Sequence, residues 1–543
     1  MSQRERIEEL ETQVLIVGGG PVGLCLALEL RFQGIDVIVL EQTDNVVEHP
    51  RVSTIGIRAM EFARRWGIAE QIRRAGWPED YPHDIAFVSQ VGGHEILRLR
   101  FPSQAERAVP DYSPEPEQVC PQHWFIPLLT RTLNAAPEPP VKLRWQLQQV
   151  LQSEDEVLVT AMDLSSNRTV RLRAQYLVAC DGAHSPVRKQ LGVQAPHRHA
   201  MRAFLNILFR APQLAEQMGQ SRALVYFLRN PRLSCPLRAI DGQSLYRLIV
   251  NLKEGEDAPE PSAAIADAFA LSTPIEILSC DRWHLVHRVA ERFRKGSVFF
   301  VGDSAHCLSP SGGFGMNTGI ADAVNLAWKL AACLEGWGGI ALLDTYEQER
   351  RPVAERNLEE AHQNLQRTQG QSIPPEILET SELGKNLRRQ MAERLRKNGV
   401  EREFDAPGVH LGAVYRSSII ASDGEPWLED PFSWTQNSAP GGRAPHAWLA
   451  PQRSTLDLFG HGFVLLERDP GQDGTPIARA FEARGVPLTK HAIHDSATAA
   501  TLYERAFILV RPDGHVAWHS HSLPDDCGRL VDHVCGHSPK VRT

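Results

Sequence analysis

At 543 residues, 42% hydrophobic and 23% charged, the chain is too long for one ordinary domain and apolar enough for two or three real cores. Its formal net charge of −8 gives no basic footprint for nucleic acid or an anionic membrane, and no run of about 18 apolar residues suggests a span. A charged opening without a signal-peptide core and nine dispersed cysteines with no C-x-x-C pair lead us to expect a cytoplasmic protein with reduced thiols.

Val14-Leu15-Ile16-Val17 reads as a fully buried parallel strand. Gly18-Gly19-Gly20-Pro21-Val22-Gly23 turns the chain, and Val22 to Phe32 resumes with helical spacing. Gly18 and Gly20 leave no Cβ between backbone and ligand, Gly23 lets helix and strand pack closely, and the helix start offers unpaired N–H groups to a diphosphate. A second strand, Asp36 to Leu40, ends on Glu41, where a carboxylate can accept hydrogen bonds from a ribose. A Gly-rich turn in an unrelated unit would lack this combination of strand, helix and acid.

A helix is expected from Ile57 to Trp66. The Pro-rich stretch Trp77 to Pro121, with one hairpin at Gly92-Gly93, reads as surface structure covering a site. Helical spacing follows from Gln122 to Leu133, then two strands within Val141 to Val159. Tyr176 to Cys180 is a second buried strand, ending in Asp181-Gly182, and Ser185 is placed to cap a helix that opens at Pro186. From Met201 to Leu285 the pattern mostly alternates, as an antiparallel sheet flooring a substrate pocket would. Val298 to Val301 is a third buried strand, ending in Gly302-Asp303, followed by a Gly-rich loop to Asn317 and a helix from about Thr318 to Leu334. Two anion-friendly helix starts almost three hundred residues apart suit one elongated ligand, its ribose and diphosphate at the first and a polar ring system at the second. Leu342 to Arg367 and Ser381 to Lys397 read as charged helices with solvated faces that pack on the main body. Past a boundary at Pro440 to His446, the chain alternates strand and helix as a small α/β unit.

With these signatures in this order, the chain resembles the flavin-dependent aromatic hydroxylases, single-component monooxygenases of the para-hydroxybenzoate hydroxylase and phenol hydroxylase type, over about residues 12 to 370. Cys180 to Arg188 is similar to that family's Asp-Gly motif, and Gly302 to His306 with Pro310, Gly313, Gly315 and Asn317 to its Gly-Asp motif. The C-terminal unit, with Arg443-Ala444-Pro445-His446 and Arg511 to Trp518, is similar to the thioredoxin-like domain of phenol hydroxylases, without the redox cysteine pair. The resemblance implies an α/β fold: a Rossmann-like FAD domain in two parts (1–200 and 286–400, the latter with a helical linker), a mostly antiparallel substrate sheet inserted at 201–285, and a linker and thioredoxin-like unit at 401–543.

It further implies non-covalent FAD, NAD(P)H as a transient reductant, dioxygen, and a phenolic or polycyclic aromatic substrate. Glu41 would bind the adenosine ribose, Arg51 and Gln122 would lie along the diphosphate and ribityl chain, and Asp303 would hold the ribityl hydroxyls. Gly18, Gly20, Val22, Gly23, Gln42, Pro310, Gly313, Met316 and Asn317 complete the implied cofactor contacts. Asp181 serves either the flavin surroundings or the nicotinamide, or simply caps a helix. No catalytic residue can be named. Tyr226, Tyr246, His284 and His287 lie in or beside the substrate sheet, with packing as the alternative for each, and Ser53 stands where phenol hydroxylases carry an activating Asp. The histidines and cysteines from His515 to His537 lack paired metal spacing, so no metal is expected. An oxidase or dehydrogenase on the same fold, a non-catalytic nucleotide-binding protein, and a homodimer all stay open.

Overall fold

The structure is a computed structural model that describes residues 8–50, 54–252, 257–368, 372–421 and 430–537. Five strands form its parallel sheet in the order Val298–Phe300, Arg168–Ala179, Glu8–Val17, Val37–Glu41, Val141–Leu143. Val14, Leu15, Ile16, Leu177, Val178 and Phe299 are wholly buried, as continuous apolar runs in a sheet covered on both faces should be. Arg168–Ala179 also continues into an antiparallel ribbon with Val157–Asp163 and Trp145–Gln152, so Val141 to Val159 holds parts of three strands rather than two.

Helices Pro21–Phe32 and Phe314–Leu334 pack on each other where both begin. A Cβ on Gly319 would lie 2.7 Å from Val22 Cγ2, and one on Gly302 3.2 Å from Val22 Cγ1. Val22 therefore interlocks both glycine-rich turns.

The second sheet has seven strands, in the order Glu276–Leu285, Arg202–Arg210, Leu245–Leu252, Ser234–Ala239, Val225–Arg229, Ile85–Val88, Glu95–Leu99. It extends beyond the 201–285 insert. The hairpin at Gly92-Gly93 is present, but its strands are not a surface cover: Ile85–Val88 is buried and pairs in parallel with Val225–Leu228. Cross-strand register places Tyr226, Leu237, Leu248 and Ile207 on one face, in an apolar core that helix Pro261–Ala268 joins. Val225, Arg238, Arg247 and Leu208 line up on the other.

Helix Ile340–Arg367 packs on the body and keeps Glu355 and Glu359 exposed, but its packed face buries charge as well as apolar side chains. Leu342, Tyr346, Glu349, Arg350, Ala354, Leu358 and Ala361 are buried on it, because the helix lies between Phe314–Leu334 and the C-terminal unit. That unit is a four-stranded sheet, Leu488–Ala492, Phe463–Glu467, Phe507–Val510, Val516–Ser520, with helices Thr475–Glu482 and Cys527–Val534 packed together. One of its cores is continuous with Trp328, Ala332, Trp337 and Leu342 of the body. All nine cysteines are free thiols. No helix among the described residues is long and apolar enough to cross a membrane.

Candidate functional site

The three glycine and acid signatures emerge side by side at the carboxyl ends of adjacent parallel strands, because Val17 pairs with both Leu40 and Ala179, and Ala179 with Phe300. In open α/β sheets this edge is where ligands bind.

The glycines of the first turn divide their work differently from expectation. A Cβ on Gly18, whose φ is +109°, would lie 2.3 Å from Cys180 O, and one on Gly23 2.0 Å from Gly18 O; both close the turn against backbone. Gly18 thus serves packing rather than ligand clearance. Gly20, the residue preceding the helix, would present a Cβ to open space. Glu41 Oε2 accepts from Gly19 N (2.7 Å), and Oε1 from Thr43 N (2.8 Å) and Thr43 Oγ1 (2.7 Å). Each carboxylate oxygen can accept more than one donor, so fixing the group this way leaves it able to bind a hydroxyl. Gln42 is exposed.

Ser185 caps helix Pro186–Gln190 as expected, accepting from Arg188 N at 3.0 Å. Asp181 Oδ2 accepts from Val187 N (3.0 Å), which is the capping role, while its Oδ1 is buried with no hydrogen-bond partner among the described residues. Burial raises the Asp181 carboxyl above the usual range. Arg188, which sequence reasoning quoted without assigning a task, is buried and donates to Ser304 O (2.5 Å) and Ala183 O (3.2 Å), tying the Asp-Gly segment to the Gly-Asp turn. Asp303 is exposed between buried neighbours, Gly302 and Ser304.

Helix Phe314–Leu334 begins a turn earlier than its spacing predicts and opens on Gly313, in the left-handed region at φ +67°, with no side-chain cap. Added Cβ atoms at Gly313 and Gly315 would meet nothing within 4 Å. The uncapped first-turn N–H groups and the helix dipole together favour negative charge there. Asn317 is a clamp: its Oδ1 accepts from Gly56 N (2.8 Å) and its Nδ2 donates to Thr54 O (3.0 Å) and Gly313 O (3.0 Å). Thr54 pairs with Val119 in a short ladder, and Gln122 follows three residues after Val119 as the first residue of helix Gln122–Asn134. The Gln122 side chain has no hydrogen-bond partner among the described residues. Val22 and Met316 pack into the core, and Pro310 is exposed ahead of the short Ser311–Gly313 turn. Arg51 and Ser53 lie outside the described residues.

On the polar face of the second sheet, the rings of Phe87 and Phe227 stack at 4.9 Å. Arg229 lies 5.8 Å from both ring centres and donates to Thr368 O (2.5 Å), just past the long helix. Glu403, buried, stands near both Arg238 of this sheet and the N–H of Gly312 in the glycine-rich turn. Burial pushes its carboxyl up to about 7 against the pull of those groups and Arg229, and brings the Arg229 guanidinium down to about 10. Glu403 Oε2 has no hydrogen-bond partner among the described residues. None of the four sequence candidates joins this wall. Tyr226 and Tyr246 point into the apolar core, Tyr226 Oη donating to Ser221 O and accepting from Ala223 N. His284 is exposed, and His287 packs edge-on against His199 and His362. Among the described residues no group of three His, Cys, Asp or Glu is placed to hold a metal ion.

Residues 11–361 match the family model described as FAD binding domain, and residues 437–538 the one described as aromatic-ring hydroxylase, C-terminal. The chain is 32% identical to tetracenomycin B2 monooxygenase-dioxygenase of Streptomyces olivaceus, across 97% of this chain and 98% of that one. It is similar to the structure of chromopyrrolic acid-soaked RebC with bound 7-carboxy-K252c, at 50% identity and a TM-score of 0.94, covering 98% of this chain and 100% of that one. A ternary complex of aklavinone-11 hydroxylase with FAD and aklavinone is similar at 26% identity and a TM-score of 0.81, covering 99% of this chain and 100% of that one.

Proposed function

The chain belongs to the FAD-binding aromatic-ring hydroxylases, FAD-dependent monooxygenases, and from that membership we propose that its own substrate is a large, planar, polycyclic aromatic bearing a carboxylate. The observation that carries this reading is the polar wall of the second sheet. The buried, stacked Phe87–Phe227 pair gives this face an apolar backing, half-buried Arg238 offers a cationic anchor beside it, and Glu403, its carboxyl pushed up to about 7, offers a proton beside Gly312. RebC, 50% identical to this chain, is described with bound 7-carboxy-K252c, a ligand that carries a carboxy group by name.

The residues at the sheet edge fit FAD: open space at Gly20, Gly313 and Gly315, an exposed Asp303 among buried neighbours, and an uncapped helix start. Glu41 would take the adenosine ribose, Gly20 and the first helix start the diphosphate, Gln122 and Asp303 the ribityl chain, and the Gly313 to Asn317 helix start the ring system. Bound FAD supplies the relay of electrons from a reductant to dioxygen and delivers oxygen to the aromatic ring. The chain's task is to orient the ring system between its two anchor points, to favour negative charge at the second helix start, and to hold the aromatic substrate where water is excluded. We assign NAD(P)H as the reductant; with a single dinucleotide fingerprint in the chain, it would dock transiently at the surface.

A panel of phenols and polycyclic aromatics, each with and without a carboxylate, tests this reading. Purified holoenzyme, NAD(P)H and air should convert the carboxylated polycyclics to products one oxygen heavier. Turnover confined to single-ring phenols would refute the substrate class.

A further inference from the structure

Arg350 is 2% exposed, lies on a helix distant in sequence from both glycine-rich turns, and has no task in the chemistry above. Its three nitrogens bind two elements, helix Phe314–Leu334 at Asp322 and Thr318 and the segment that carries Tyr415. Nε donates to Asp322 Oδ1 (2.6 Å), Nη2 to Thr318 O (3.1 Å), and Nη1 to Tyr415 Oη (3.0 Å). Asp322 is wholly buried, and its Oδ2 accepts from Gly302 N (3.3 Å) and lies 2.6 Å from His306 Nε2. A single guanidinium therefore grips the Gly302–Asp303 turn through Asp322, and the opening of helix Phe314–Leu334 through Thr318.

Tyr415 carries the connection onward. Its ring stacks on His515 of the C-terminal unit at 4.1 Å, and its N–H donates to Gly441 O (2.9 Å). Glu349, the residue before Arg350, receives both terminal nitrogens of Arg511 from that same unit (2.6 and 2.9 Å) and Lys329 Nζ (2.7 Å). Adjacent residues on one helix thus both grip helix Phe314–Leu334, Glu349 at Asn325 and Lys329 where it also meets the C-terminal unit, and Arg350 at Thr318 and Asp322 beside the Gly-Asp turn. A charge this deep is costly to desolvate, and a methionine or leucine would pack a helix as well. Only a planar fork can set the positions of three acceptors at once.

We propose that Arg350 is a positioning residue for the flavin site, setting the Gly302–Asp303 turn against the first turn of helix Phe314–Leu334, and that Tyr415 makes that setting depend on the docked C-terminal unit. The proposal rests on the assignment of these two turns to FAD and is independent of the substrate. Arg350→Lys keeps the charge and loses the fork; Tyr415→Phe keeps the stack on His515 and loses the hydroxyl. FAD affinity is read by flavin fluorescence on reconstituting the full-length apoprotein, the flavin midpoint potential by dye equilibration, and folding by melting of the apoprotein. Arg350→Lys should bind FAD at least tenfold more weakly, and Tyr415→Phe about threefold, with a shifted midpoint potential in both and an apoprotein melt for Tyr415→Phe within a degree of the parent. FAD affinity and potential unchanged in both variants would overturn the proposal; if Arg350→Lys does not fold, unchanged values in Tyr415→Phe alone do so. Asp303→Ala separates the two levels of argument. FAD weakened in Asp303→Ala but not in the other two removes only the role of Arg350, whereas FAD unchanged in Asp303→Ala removes the flavin assignment beneath it.

Discussion

Glu403→Gln keeps the shape of a buried side chain and removes its proton equilibrium. With its carboxyl pushed up to about 7, Glu403 passes from about nine-tenths neutral at pH 6 to about one-tenth neutral at pH 8. A substrate carboxylate held by Arg238 at roughly 4 Å from ionised Glu403 would meet a repulsion of about 4 kcal/mol at an effective dielectric of about 20. That exceeds the roughly 1.4 kcal/mol behind each tenfold step in affinity, so the anion selects the neutral form. Affinity for a carboxylated polycyclic, followed through the flavin absorbance, should fall about tenfold from pH 6 to pH 8 in the parent protein. It should stay flat in Glu403→Gln, and flat for the corresponding amide in both. Stability carries the same signature. A native carboxyl at about 7 keeps a proton that the unfolded chain, at 4.5, has released, so stability falls as pH rises between those values, by up to about 3 kcal/mol, and levels off above them. An equal tenfold loss of affinity in Glu403→Gln, or none in the parent, would refute the reasoning.

Gly18→Ala and Gly20→Val should separate packing from ligand clearance: the first lowers the melting temperature of apoprotein, since its Cβ meets Cys180 O at 2.3 Å, while the second melts normally and loses FAD on desalting. A normal apoprotein melt for Gly18→Ala contradicts this division. Arg511→Met leaves buried Glu349 with Lys329 as its one cationic partner beside Asn325 and Ser417, and should destabilise the protein by about 3–5 kcal/mol, read as an earlier thermal transition; an unchanged transition would mean the ion cluster does not couple the two units. Cys527→Ser combined with Cys535→Ala should leave substrate-stimulated NAD(P)H oxidation intact, because the C-terminal unit offers no dithiol. A folded double variant with activity lost would give those thiols a redox role.

The parallel sheet was legible in the sequence because strands buried on both faces are written as short apolar runs, and here three of them, Val14 to Val17, Tyr176 to Cys180 and Val298 to Val301, run straight into glycine or acid. Ile85–Val88 was not, since a four-residue run in Pro-rich surroundings gives no hint of a partner at Val225–Leu228. The fingerprint likewise predicts a turn without telling which glycine meets ligand and which meets backbone. Charge misled most on Ile340–Arg367: hydropathy scores Glu349 and Arg350 as surface, and only their partners at Arg511, Lys329, Asp322 and Tyr415 make burial affordable. The alignment of Arg238 with Arg247 depends on strand register, which alternation alone leaves undetermined.

The order of strands in the parallel sheet also dictates when this protein can become a flavoprotein during synthesis. Glu8–Val17 leaves the ribosome first, yet its neighbour Arg168–Ala179 comes some 150 residues later, and Val298–Phe300, which seats the second anchor, later still. At about 5–20 residues per second, roughly 15–60 s separate the first glycine-rich turn from the second. Throughout that interval the nascent chain carries half a cofactor site, an unpaired sheet edge and a growing second sheet. Such a chain calls for chaperone cover until residue 334 has emerged, and its expression should depend on chaperone supply and abundant FAD more than the stability of the finished protein would suggest.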